Sequence, residues 1–170
     1  MSTTITEYNP SGTLIAGNAL VGIAVGWQDD INAPSLADLN AGHKVDCAIE
    51  SLAGGANTST TTRQKLCNAV AVERPGRTTY TLENLEIVME DPQEADAFLD
   101  SLETGVKVTI FARPGVEHTE ALASGDRLWV WHATITSDVP AALDTTEGAE
   151  FRLVLSFAVD SFTRKAVLAA

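Results

Sequence analysis

Between positions 150 and 159 the chain reads E-F-R-L-V-L-S-F-A-V. Phe151, Leu153, Leu155, Phe157 and Val159 occupy every second position, which places all five on one face of a strand and on no single face of a helix. This is the cleanest pattern in the chain, and it commits the segment to a sheet. Similar alternation recurs elsewhere. Over 106–113, Val106, Val108 and Ile110 share a face before a turn at Pro114-Gly115. Over 127–136, Trp129, Trp131, Ala133 and Ile135 do the same. Over 45–52, Val45, Cys47 and Ile49 oppose Asp46 and Glu50, as in a half-buried strand. Residues 66–73 read as a strand ended by a turn at Arg74-Pro75-Gly76-Arg77. In the strand expected over 78–90, Tyr80 and Leu82 have one parity and Leu85, Ile87 and Met89 the other. A switch near Asn84 predicts a bulge or bend there.

One helix stands out. Asp91 is a cap, Pro92 suits the first helical position and Glu94 completes a box-like start. Ala95, Phe98, Leu99 and Leu102 then line one face, and Gly105 fits just past the end. Residues 27–44 read as a loop with a helical turn that starts at Pro34-Ser35 and ends at Gly42. Residues 53–65 read as a polar Gly/Ser/Thr loop. Residues 1–26, with Gly12, Gly17, Gly22 and Gly26 breaking any helix, read as an extended arm that packs on a neighbouring subunit. The stretch 163–170 is a short strand or a tail. Six or seven strands at hairpin spacing with one short helix describe a mainly β fold, an antiparallel sandwich or split barrel, in one domain over 1–170.

The 170 residues carry 23 acids and 11 bases, a net charge of −12. Proteins that grip nucleic acid do so through a basic footprint, so a gripping role is excluded. A surface that lets DNA slide past without sticking has the opposite requirement, and this balance meets it. From Glu83 to Glu103 there are acids and no base. The plain reading is a solvated face, and the functional one turns Glu83, Glu86 and Glu90 toward a channel.

No motif carries chemistry. GxSxG, a P-loop and a dinucleotide-binding GxGxxG are all missing. His43, His118 and His132 are scattered, so catalytic or metal use needs convergence from far apart in sequence. Cys47 and Cys67 sit in no CxxC, and the expectation is no metal, no cofactor and no catalytic residue; whether the two cysteines pair is open. Asp29-Asp30 lacks a spaced calcium-ligand series. Asn57-Thr58-Ser59 fits a glycosylation pattern, but no secretory signal accompanies it. Trp129 and Trp131 belong more simply to a core than to a base- or sugar-stacking site. The stretch 13–27 is too short and glycine-rich to be a signal peptide or a membrane span, which points to the bacterial cytoplasm as the place of synthesis.

The order of segments resembles the major tail tube proteins of long-tailed, siphovirus-like phages of actinobacteria. Trp27, then Ile31-Asn32-Ala33-Pro34-Ser35-Leu36-Ala37-Asp38-Leu39-Asn40-Ala41-Gly42, then Val45-Asp46-Cys47 follow the start of those proteins. The turn at Pro75-Gly76 and the strand opened by Gly125-Asp126-Arg127 fit their middle and end. The polar loop at 53–65 departs from the pattern.

The resemblance implies a sandwich or split barrel with one helix, six copies per ring, and rings stacked into a tube. The strands of six subunits would join in one inner barrel, with Trp27, Asp30, Ile31 and Pro34 at subunit contacts. Expected partners are further copies of the chain, the tape measure protein, the tail terminator and tail-tip proteins. Double-stranded DNA passes transiently, and no membrane insertion is expected. The virion tail is the expected location, and the tail is expected to be non-contractile. Two alternatives stand beside this: another ring-forming tail protein, such as a terminator or the tube of an injection device, and a ligand-binding sandwich or small enzyme using Trp129 and Trp131.

Overall fold

The computed structural model describes residues 17–63, 72–89, 96–143 and 150–170. Six strands form one antiparallel sheet in the order β2-β1-β6-β7-β8-β5: β1 (Ala19–Val25), β2 (His43–Lys44), β5 (Leu85–Val88), β6 (Lys107–Pro114), β7 (Arg127–Pro140) and β8 (Arg152–Val167). A separate two-stranded ribbon pairs β3 (Gly54–Arg63) with β4 (Val72–Leu82). The single α-helix among the described residues is α1 (Leu36–Asn40). The expected mainly β class therefore holds, as a curled antiparallel sheet of the sandwich or split-barrel type.

The sheet is covered on both faces. On one side Val21, Ile23, Val108, Ile110, Trp131, Ile135 and Leu155 pack against Leu82, Leu85, Ile87 and Leu102. On the other, Leu20, Ala24, Phe111, Leu128 and Val130 pack against Leu39 of α1, Leu122 and Leu168. Successive residues of β1 thus enter opposite cores, which is why the segment reads as a continuous apolar run. Gly22 serves close packing: a Cβ there would lie 2.3 Å from Cζ of Phe111.

Several sequence expectations need correction. The arm expected over 1–26 is, over Ala19–Val25, a central strand paired with β6 from Ala19↔Pro114 to Val25↔Val108. Glycines that argue against a helix are no obstacle to a strand with both faces buried. The strand expected over 45–52 is a turn, with the Ala48 N–H bonded to the Val45 carbonyl at 2.9 Å. The polar loop at 53–65 is mostly β3. Its threonines are β-branched and suit a ribbon whose faces are wet. Arg74-Pro75-Gly76-Arg77 lies within β4, where the register shifts between Thr58 and Thr60 on the opposite strand. The irregularity falls at Gly76-Arg77, opposite Ser59 and next to Pro75, whose nitrogen cannot donate to a ladder.

The main helix is corrected too. Asp91, Pro92, Glu94 and Ala95 lie outside the described residues. The chain from 96 makes only a turn and one 3₁₀ turn, Leu99–Ser101. Just before it the Asp96 carboxylate accepts from the N–H groups of Phe98 and Leu99 at 2.9 and 3.2 Å. The helical turn expected after Pro34-Ser35 is α1, and Gly42 follows its end. Trp131 is core, but Trp129, on the same side of β7 and nearer the start of the strand, is 44% exposed. The break expected near Asn84 separates β4 from β5. Residues 163–167 complete a single long strand with 152–162 rather than forming a tail. The strand expected over 66–73 lies mostly outside the described residues.

Candidate assembly surface

Trp27, Asp30, Ile31 and Pro34 are the subunit-contact residues that the resemblance implies. Trp27 is half-buried and anchored inside the chain. Its Nε1 donates to the Ala133 carbonyl at 2.9 Å, and its ring stacks on His132 with centroids 5.7 Å apart. Lys107 Nζ lies 4.3 Å from the same ring, a cation–π contact. Ile31 packs against the second core. Pro34 is buried and its carbonyl accepts the Ala169 N–H at 2.9 Å, while Ser35 bridges Ala169 in parallel. Asp30 is exposed, and its carboxylate accepts the Asn32 N–H at 2.8 Å. The segment 27–36 therefore straps the end of β8 to the sheet, and of the four residues Asp30 offers most to a neighbour.

Two other features face solvent. In the ribbon, residues 54–62 and 73–77 are exposed throughout. Its base is held by Leu82 in the core and by Tyr80, whose ring meets Phe162 edge-on at 5.7 Å. The second feature is β8, which pairs with β5 only through Arg152 to Leu155. From Ser156 onward, among the described residues, it is laddered on one side, by β7. Open edges of this kind accept another strand. Val25, Trp129, Val139, Leu143, Phe151 and Val167 add exposed apolar area.

The acidic candidates differ in their neighbours. Glu83 is exposed at the β4–β5 junction. Glu86 is exposed on β5 and lies 3.3 Å from Arg152, which also bonds Glu50 at 2.6 Å and approaches Glu150 at 3.5 Å. The hydrogen bonds that the guanidinium donates to Glu50 and then to Glu86 raise its pKa above its ordinary value. Glu90 lies outside the described residues.

Two clusters have no counterpart in the sequence reading. Arg113, buried to 2%, donates to the carbonyls of Glu117, Glu120 and Ala121 and to Asp126 at 2.8 Å, fastening the 117–126 loop. The other cluster joins His118 to Asp46 and Cys47 across 71 residues. No spacing signal marks either one, since both depend on the sheet having folded. His132 is buried, which pushes its imidazole below its ordinary value of 6.5; the charge of Asp160 opposes this more weakly. His43 stacks on Phe98, with centroids 4.1 Å apart.

With this geometry in place, the comparison with known families is decisive. The family model described as phage tail tube protein matches residues 9–170. The chain belongs to the phage tail tube protein family. It is a structural protein of the virion tail, built to assemble with other subunits. The tail tube fold is also similar to a chain in the cryo-EM structure of the anti-feeding prophage baseplate, 6-fold symmetrised. The TM-score is 0.53 at 14% identity, covering 91% of this chain and 96% of that one. No curated protein matches it in sequence. Among the described residues of this tail tube protein, no helix is long and apolar enough to cross a membrane.

Proposed function

We propose that the protein forms six-membered rings that stack into the tail tube of a long-tailed phage, and that DNA passes through the lumen. The observation that carries this reading is the family match over 9–170, nearly the whole chain. The fold shared with a chain of a 6-fold symmetrised baseplate supports the ring number. The open edge of β8 supports the joining of strands between subunits, because a closed barrel leaves no edge.

Charge fits the conduit. Six copies of −12 give −72 per ring, a field that repels phosphate. Glu83 contributes more to that field than Glu86, whose charge Arg152 partly neutralises. Glu90 keeps its place in the proposal on sequence alone. Ring contacts through Asp30, Trp27, Ile31 and Pro34 would be mostly indirect, with the strap setting where Asp30 sits. Tape measure protein, tail terminator and tail-tip proteins are the further partners this reading requires, and assembly takes place in the host cytoplasm. The segment from Trp27 to Gly42 favours a non-contractile tail of an actinobacterial phage.

Negative-stain electron microscopy of the purified protein, concentrated and left to stand, tests the proposal. Open-centred tubes with six-fold rings in projection are expected. Rings of another order, or a persistent monomer even with initiating tip proteins supplied, would sink it. The baseplate likeness favours a second reading, a ring-forming protein at the tail end. That reading predicts rings that never extend.

A further inference from the structure

We propose that Asp46, Cys47 and His118 form a three-ligand site for zinc or a similar borderline-soft divalent cation. The residues come from two turns, one after β2 and one after β6, and neither turn has another use for them. His118 Nδ1 lies 3.0 Å from Asp46 Oδ2 and 4.0 Å from Cys47 Sγ. The three ligand atoms all lie within 4.8 Å of one another. Tetrahedral zinc, with bonds of about 2.0–2.3 Å, sets its ligand atoms roughly 3.3–3.7 Å apart. A side-chain adjustment of up to about an ångström, with Cys47 Sγ moving inward and Asp46 slightly away from His118, meets that requirement. Cys47 is a free, exposed thiol on a turn, so its side chain has room to move.

The donor set selects the cation. One carboxylate, one thiol and one imidazole suit zinc and its neighbours, whereas calcium and magnesium take several oxygens. A catalytic Cys-His-Asp relay is a poorer reading. A relay uses the two ring nitrogens for different partners, and here the acid and the thiol face the same nitrogen. The backbone around the site is held: the His118 N–H bonds the Gly17 carbonyl at 3.0 Å and the Val45 N–H bonds the Val21 carbonyl at 2.9 Å. Both turns therefore hang on the start of β1, and a bound ion would cross-link them there. Three protein ligands leave a fourth position for water or for a group from another subunit. The proposed site departs from the expectation of no metal ligand, and it does not depend on the ring proposal.

The test is a titration of the full-length, metal-free, reduced protein with Co²⁺, followed by displacement with Zn²⁺. One equivalent of Co²⁺ is expected to bind with visible d–d absorption and a thiolate charge-transfer band, both lost on adding Zn²⁺. Cys47→Ser should abolish the charge-transfer band and His118→Gln should weaken binding, while Cys67→Ser keeps the band. A wild-type protein without the band, or a band that survives Cys47→Ser, overturns the proposal. A second measurement needs no variant. Zn²⁺ should protect Cys47 from alkylation in the native protein, as read by peptide mass, and unchanged alkylation overturns the site as well.

Discussion

At the scale of single residues, Arg113 and His132 are the two buried groups whose chemistry reaches furthest. Arg113 holds three carbonyls and a carboxylate together. Arg113→Met keeps the bulk of the stem but removes the guanidinium donor to the three carbonyls and leaves Asp126 with the Ala123 N–H as its donor. A loss of about 3 kcal/mol is expected in urea unfolding, as for other broken buried pairs. Burial pushes the Asp126 carboxyl up, but hydrogen bonds from Arg113 and from the Ala123 N–H outweigh it and hold the group below 3.8. Its contribution is therefore full above about pH 4 and is lost as pH falls through the folded value. His132 acts in a different window. The unfolded chain takes up its proton near 6.5, and the folded chain, with the ring buried against Trp27, only at lower pH. Between those values the unfolded state binds more protons, so stability falls as pH drops. The melting temperature should decline from pH 7 toward pH 5, and His132→Asn should flatten that decline whatever its own cost in stability.

At the scale of elements, the ribbon of β3 and β4 is the part least needed by the fold. Only its base enters the core, through Leu82, with Tyr80 on Phe162. Replacing 59–76 by a two-residue turn should leave the melting temperature within a few degrees of the wild type, because the described residues it removes, 59–62 and 73–76, are exposed and polar and contribute little. The same change should abolish tube formation in electron micrographs if the ribbon bridges subunits; tubes of normal length would remove it from the interface. What the sequence made legible follows from burial. A strand with one wet face, such as β5 with Leu85 and Ile87 buried and Glu86 exposed, announces itself by alternation, and β6 does so because the polar Thr109 and Arg113 interrupt its apolar residues although both its faces are buried. The ribbon does not, because both its faces are polar and its threonines resemble loop composition. Nor does β1, whose two buried faces give an apolar run without period. At 45–52 alternation misled, since Val45 is buried and Ile49 partly buried from a turn and the chain around it. The convergence of His118 on Asp46 and Cys47 has no local signature at all.

At the scale of the whole molecule, the question is which part waits for a neighbour. The strand β1 is integral to the sheet, so removing residues 1–26 would unfold the domain. Removing 1–16 spares β1 and its pairing with β6. That shorter deletion is expected to give a folded monomer, with the far-ultraviolet dichroism of the full chain, that does not form tubes. Normal tubes from it would assign assembly to the ribbon and the β8 edge alone.

The strap between Ser35 and Ala169 has a consequence for how each subunit is made. Val25 pairs with Val108, Trp27 bonds Ala133, and Pro34 bonds Ala169, so segments synthesised early are completed by segments synthesised late. Contact order this high makes folding slow and leaves little to gain from partial chains. A nascent chain on the ribosome cannot close either core until β8 has emerged. Until then the unpaired edge of β7 and the two open cores are exposed together, so the moment at which β8 docks is the moment at which a chain stops being able to exchange strands with a neighbour.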